Sequence, residues 1–328
     1  MKIFYVSQGS SIEAFYNLHK AMAAQENVEA CGWFVTDKQH FQARFSDPDS
    51  QLGGEILREW DIFDAALQDK NAAKGIGQWE KAIGVSSLWP VVIADRRVID
   101  GPFCKVTQDY KSVYSQETMR AIVVHFARAF DDFLTRNGPD VILSFGPNTL
   151  AARLTRFMAE ARGIPFLTLK STKISNYVTW SPSDDETHPH IAKTYKAIAE
   201  GAVPSPEVKE FVARYLKEIE RSQSIQYEGI TKLHQARFIP SVLQYLKDLP
   251  RAAYHALKAR DDFDPQRIPP VRRAWYQTMG RYFHQRKISA MMRPYIFDPA
   301  AKDNPDYIFF PLNSEPEIAV NVYSLFYR

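Results

Sequence analysis

The sequence predicts an α/β protein built on a doubly wound parallel sheet, and three stretches predict it. Lys2 to Gln8 is a largely apolar run closed by Gly9-Ser10-Ser11, the pattern of a parallel strand buried on both faces. Ala14, Phe15, Leu18 and Met22 then recur at helical spacing behind a Ser11 cap, and Ala30 to Val35 is a second apolar run. Asp140 to Gly146, a helix opened by Pro147-Asn148-Thr149 and closed at Gly163, and Pro165 to Leu169 repeat the strand–helix–strand order. Strands alternating with helices in this way predict a Rossmann-like sheet with helices on both faces.

The remaining elements follow the same logic. Glu55 to Gln68 reads as helix. Leu88 to Ala94 reads as a strand, with Pro90 at its start or edge, delivering Asp95-Arg96-Arg97 to its C-terminal end. Val98 to Val113 reads as irregular. Gln116 to Asn137 is a helix, with Ile122, Val123, Phe126, Phe130 and Phe133 on one stripe and Gly138-Pro139 as its stop. Ser171 to Pro206 is polar and broken, and reads mostly as loop. Pro206 to Ser222 is a helix capped by Ser205. Lys232 to Met292 is helical in character, cut by Pro240, Pro250 and the Pro265-Pro269-Pro270 cluster. Pro294 to Pro305 reads as a linker, and Tyr307 to Leu312 as a last strand. The expected domains are a Rossmann-like N-terminal domain over 1–205, a basic helical segment and linker over 206–305, and the opening strand and loop of a second Rossmann-like half over 306–328.

The 328 residues are enough for two domains, and a 45% hydrophobic content supplies a packed core. The net charge of +3 is unevenly spread: Lys232 to Arg293 holds 13 Lys and Arg against 4 Asp and Glu. The two cysteines, Cys31 and Cys104, show neither metal nor disulfide spacing and fit a reducing, cytoplasmic compartment. The sequence shows no signal-peptide pattern and no apolar window long enough to span a bilayer.

In open α/β sheets ligands sit beyond the C-terminal ends of the strands. Four such ends carry candidate chemistry. Gly9 and Ser10 sit where a helix N-terminus can receive an anion or a sugar hydroxyl, although neither a dinucleotide fingerprint nor a P-loop is present. Asp95 beside Arg96 and Arg97 fits a general base oriented by guanidinium groups, or a clamp on an anion, and equally a structural ion pair. Ser144, Gly146 and Asn148 form a third end, where the glycine allows close approach of a ligand and Asn148 can cap a helix. No G-x-S-x-G elbow occurs, which excludes an α/β-hydrolase reading. Glu315 and Glu317 flank Pro316 in a fourth end, suited to a base or to a ribose-binding carboxylate, or simply to a solvated acidic loop. His188 and His190 have no third ligand close by, so no metal site is expected.

Phe309-Phe-Pro-Leu-x-x-Glu-Pro-Glu317, Ala94-Asp-Arg-Arg97 and Pro139-Asp-Val-Ile-Leu together with Gly163-Ile-Pro165 resemble the capsule polysaccharide biosynthesis proteins, a group related to the capsular Kdo transferases. The resemblance implies a GT-B-like arrangement of two Rossmann-like halves. It implies transfer of a sugar from a nucleotide-activated donor, CMP-Kdo-like or other, to a glycan or lipid-linked glycan acceptor, with no tightly bound cofactor. Carried over, Asp95, Glu317 and Glu315 are the catalytic candidates. Gly9, Ser10, Arg96, Arg97, Ser144, Gly146 and Asn148 are the substrate-binding candidates. The family's later donor-domain elements do not follow Glu317, so an incomplete active site is expected. Candidate partners are an anionic membrane surface at the inner face of the cytoplasmic membrane and other capsule-assembly proteins; nucleic acid is not favoured. A non-catalytic glycan- or membrane-surface-binding partner of a separate transferase is the alternative.

Overall fold

The computed structural model describes residues 1–9, 11–45, 52–100, 112–146, 149–172, 177–182, 189–222, 238–258, 263–265 and 267–292. The expected linker after Pro294, the strand from Tyr307 and the acidic loop that follows lie outside these residues. The chain divides into two compact units. Unit 1 spans Met1–Asp184, Ala256–Pro269 and Pro305–Arg328, and unit 2 spans Asp185–His255 and Pro270–Asn304.

Unit 1 is a Rossmann-like α/β fold. Its strands are β1 (Lys2–Val6), β2 (Glu29–Val35), β3 (Glu55–Arg58), β4 (Val141–Ser144), β5 (Phe166–Ser171) and β6 (Val178–Ser181). They form one sheet in the order β3-β2-β1-β4-β5-β6, parallel except for β6, which runs antiparallel to β5. The strand alternation expected from a period of two explains the two-faced core. Ile3 and Tyr5 of β1 face one layer, with Ile12 and Phe15 of α1 (Ser11–Ala23) and Phe41 and Phe45 of α2 (Lys38–Phe45). Phe4 and Val6 face the other, which is filled by α7 (Gln116–Asn137) and α8 (Leu150–Ala161).

Between these elements lie α3 (Glu59–Gln68), a 3₁₀ turn (Lys70–Gly75), α4 (Ile76–Ile83), α5 (Trp89–Ala94) and α6 (Arg96–Asp100). Helix α7 has the bounds its apolar stripe predicts. Ser115 caps its start by accepting from Thr118 N, and Gly138, in the left-handed region, ends it.

One irregularity in β2 shows how sequence and packing agree. The pairing of β1 with β2 slips between Ile3 and Phe4, which oppose Ala30 and Gly32 and leave Cys31 as the extra residue of a bulge. Cys31 therefore joins the α7 layer, and Gly32 lies against the Phe133 ring, which a Cβ at Gly32 would meet at 2.4 Å. Phe133 in turn stacks on Phe4 at 4.2 Å between centroids.

Three sequence expectations are corrected. Leu88 to Ala94 is not a strand: Trp89–Ala94 is helix α5, where Pro90 sits in the first turn that tolerates it. The four-residue apolar run Val91 to Ala94 is too short for periodicity to separate strand from buried helix. The stretch Glu55 to Gln68 begins as strand β3 before it turns helical. The supposed loop from Ser171 to Pro206 contains β6 and α9 (Pro189–Ala199).

Unit 2 is helical in its described residues. After α9 come α10 (Pro206–Ser222), α11 (Phe238–Lys258), α12 (Pro270–Trp275), a π turn (Tyr276–Gly280) and α13 (Arg281–Met292). Pro240 and Pro250 were expected to cut the helical run, yet both lie within α11. Pro240 occupies the first turn, and Pro250 is carried in the interior despite its missing donor. Within this unit α11 packs on the following helices through Phe238 against Tyr282 and Tyr245 against Trp275, at centroid distances of 5.3 and 5.6 Å.

Candidate functional site

The strand order reverses between β1 and β4, so the crevice of an open α/β sheet falls at their C-terminal ends. Helix α1 begins beyond β1 and α8 beyond β4, and the two turns are tied together there. The Gln8 carboxamide donates to the Gly146 carbonyl oxygen and to Thr149 Oγ1, the latter at 3.3 Å. Gln8 N donates to Ser11 Oγ at 2.7 Å, and Gly9, in the left-handed region, donates its N–H to Thr36 Oγ1 at 2.8 Å. Thr149, rather than Asn148, caps α8 by accepting from Ala152 N. The β1 turn is thus braced on β4 from one side and on the end of β2 from the other.

Asp95 sits behind this crevice, not in it. Its side chain is 2% exposed. Oδ1 accepts from Arg97 N at 3.0 Å and from Arg97 Nε at 2.9 Å; Oδ2 accepts from Arg97 Nη2 at 2.6 Å and from Leu150 N at 3.0 Å. Two donors reach each oxygen, which accounts for the acceptor capacity of the carboxylate. Arg97 Nη1 also donates to Glu59 Oε2 at 2.9 Å, where Glu59 is 1% exposed. Burial alone would raise the Asp95 pKa, but the Arg97 charge and these hydrogen bonds hold it below the ordinary carboxylate range. The same contacts raise the Arg97 pKa against its own burial. This cluster fastens the start of α3, the α5–α6 corner and the first turn of α8 to one another. A carboxylate so saturated and so hard to protonate holds α8 in place. It is poorly suited to take a proton from a substrate.

The other expected residues are distributed unevenly. Gly9 and Gly146 come together at the crevice through Gln8. Ser144 is fully buried, and its hydroxyl donates to Gly146 O at 3.4 Å. Arg96 lies in α6. Ser10, Asn148, Glu315, Glu317 and His188 lie outside the described residues.

Sequence reasoning placed Gln8 at the first strand end and Thr149 at a helix start but gave neither a site role, and it gave none to Asp37. Asp37 follows the buried end of β2 next to Thr36, and one of its oxygens accepts from His40 N at 2.9 Å as the cap of α2. Its other oxygen has no partner among the described residues. The signal is present in the sequence as Val35-Thr36-Asp37, an acid two residues beyond the end of a buried strand. Among the described residues no group of three His, Cys, Asp or Glu could hold a metal ion, and no helix is long and apolar enough to cross a membrane. Comparison with protein-family models, with curated proteins and with solved structures returns no match.

Proposed function

We propose that this chain is a glycosyltransferase-like protein of capsule or surface polysaccharide biosynthesis, of GT-B type, in which unit 1 forms the acceptor side of the site. The observation that carries this reading is the switch-point crevice. Hydroxyl and amide groups (Gln8, Ser11, Thr149) stand at the ends of β1 and β4, and a half-buried carboxylate, Asp37, follows the neighbouring end of β2, a set of groups suited to sugar hydroxyls. The β1 turn lacks the glycine fingerprint of a dinucleotide site, and its Gly9 N–H is already engaged with Thr36. Asp37 accepts the proton of the acceptor hydroxyl as its oxygen bonds to the anomeric carbon of the donor sugar. The bond from that carbon to the nucleotide phosphate breaks, and the nucleotide leaves with the electron pair. Arg97 and Asp95 keep α8 in place, and Glu315 and Glu317 remain the sequence-based candidates on the donor side.

The test is to incubate the full chain with CMP-, UDP- and GDP-sugars, with and without glycan acceptors, and to measure nucleotide release. Acceptor-dependent release, lowered about a hundredfold or more in Asp37→Asn, is the expected result; asparagine still caps α2, so folding is preserved. Release that never depends on an acceptor overturns the transferase reading. Unchanged turnover in Asp37→Asn overturns the role of Asp37.

The saturation of Asp95 favours a second reading, a non-catalytic glycan-binding partner of a separate transferase. Calorimetric binding of acceptor glycan without any turnover selects it.

A further inference from the structure

Helix α11 has two apolar faces. One packs within unit 2 through Phe238 and Tyr245. The other, formed by Ile239, Leu243, Leu246 and Tyr254, points outward, each side chain between 57 and 70% exposed. These four recur at steps of three, four and eight residues, which places them along one stripe of the helix. Lys247 and Arg251 lie along one margin of this stripe, one turn apart. The following helices over 270–292 carry Arg272, Arg273, Arg281, Arg286 and Lys287 and no Asp or Glu. Trp275 and Phe283 are also exposed there.

We propose that α11 is an interfacial helix that docks unit 2 on an anionic lipid surface, with the stripe sunk into the headgroup–acyl boundary and the basic side chains on the lipid phosphates. Four large apolar side chains on an exposed helix face, bordered by Lys and Arg and with tryptophan nearby, make the arrangement that lies in a bilayer interface without crossing it. The charge complementarity selects the lipid class: a basic surface of this kind is drawn to phosphatidylglycerol or cardiolipin and not to a zwitterionic bilayer. Pro250 argues against a second helix as the occupant. It falls in the middle of the outward stripe, where its ring and missing N–H interrupt the close knobs-into-holes seam that helix pairing requires. A lipid interface requires apolar area and no such register. The docking is separate from the transfer chemistry and stands whether or not the crevice is catalytic.

The experiment is co-sedimentation of the full chain with vesicles of phosphatidylcholine alone or of phosphatidylcholine with phosphatidylglycerol. Binding to the second kind only, weakened as salt is raised, is the expected result. Leu243→Glu/Leu246→Glu abolishes it. Lys247→Gln/Arg251→Gln lowers the partition coefficient by roughly thirtyfold, the expected effect of removing two basic residues near the surface. All these side chains are exposed, so thermal melts of the variants match the parent. No sedimentation with either vesicle, or sedimentation that both double variants leave unchanged, overturns the proposal. So does a size-exclusion profile in which the parent is a dimer and Leu243→Glu/Leu246→Glu a monomer without lipid binding, which assigns the stripe to a second copy of the chain.

Discussion

Replacing Asp95 by alanine tests whether this carboxylate positions the fold or acts on substrate. If Asp95 were the general base that the resemblance implies, Asp95→Ala would abolish transfer and leave the fold intact. The geometry predicts otherwise. The substitution removes every acceptor that Asp95 gives to Arg97, leaving a guanidinium only 14% exposed paired with Glu59. Breaking a buried pair from one side costs about 3–5 kcal/mol. Leu150 N also loses its acceptor at the start of α8, at a cost of about 1 kcal/mol. Against a total stability of about 5–15 kcal/mol, the variant loses about a quarter or more of what holds the domain together. Urea unfolding followed by tryptophan fluorescence reads this directly, since Trp33 and Trp60 lie in the unit 1 core. A double-mutant cycle with Arg97→Met separates pairing from general disruption: the double variant should be more stable than the sum of the single losses allows, by about 1–3 kcal/mol. The pH dependence has a definite sign. The folded pKa of Asp95 is depressed, so its contribution is complete above the unfolded value near 4 and is lost as pH falls through the lower folded value. Asp95→Asn should lack that acid-dependent component. A stability loss below about 1 kcal/mol in Asp95→Ala, with an additive cycle, would refute the positioning role.

Four further outcomes follow from the same contacts. Gly54→Ala should destabilise more than Gly32→Ala: at Gly54 a Cβ meets the Ala30 carbonyl oxygen at 2.4 Å in a left-handed backbone, whereas at Gly32 its nearest obstacle is the Phe133 ring. Urea midpoints should show about 1–3 kcal/mol for overpacking at Gly32 and about 1–2 kcal/mol more for the conformation at Gly54. Burial lowers the pKa of His19, which meets Tyr5 Oη at 3.1 Å, so stability should fall as pH drops below about 6.5, and His19→Gln should flatten that slope in a pH series of thermal melts. Gln8→Leu removes the bridge from β1 to Gly146 and Thr149, and amide exchange in the first turn of α8 should quicken about tenfold while the rest of α8 is unchanged. Cys31 is buried, donates to Ile3 O at 3.3 Å and has its pKa pushed up to about 11 by burial, so thiol reagents at neutral pH should leave it unmodified in the folded chain.

How much of this was legible in the sequence depended on whether a segment was fixed by its own pattern or by its neighbours. Helix α7 was readable to the residue because stripe, Ser115 cap and Gly138 stop all agree. The existence of β1, β4 and β5, though not their ends, was readable as well, since each is a short apolar run bounded by turn or helix signals. Helix α5 was not readable, since Val91 and Val92 favour a strand locally and only their burial against α8, in the core shared with α7, decides otherwise. The antiparallel strand β6 was hidden by the polar chain on both sides of it. The fold class was therefore open to sequence reading, while α5 misplaced the most inviting site residue: a carboxylate expected at the mouth of a strand lies instead in the corner between two short helices.

That displacement changes what the acidic residues of this chain can do. An acid at a strand end and an acid at a helix corner look alike in one dimension, yet only the first opens onto a crevice. Asp95 has four donors and near-complete burial, so its charge is spent on α8 before any ligand arrives. Asp37 has the opposite economy: one donor from its own helix, partial exposure, and a place at the end of β2 beside the braced β1 turn. The two belong to one arrangement. Asp95 fixes the helix whose start Gln8 grips, Gln8 fixes the turn whose Gly9 grips Thr36, and Thr36 precedes Asp37. Slackening at Asp95 should therefore reach Asp37 through this chain of contacts, and nucleotide release in Asp95→Asn should fall in proportion to the loosening of the α8 first turn, while in Asp37→Asn it should fall with that turn unchanged. If amide exchange and turnover do not move together in Asp95→Asn, the bracing of the crevice from behind is wrong even where the stability measurement succeeds.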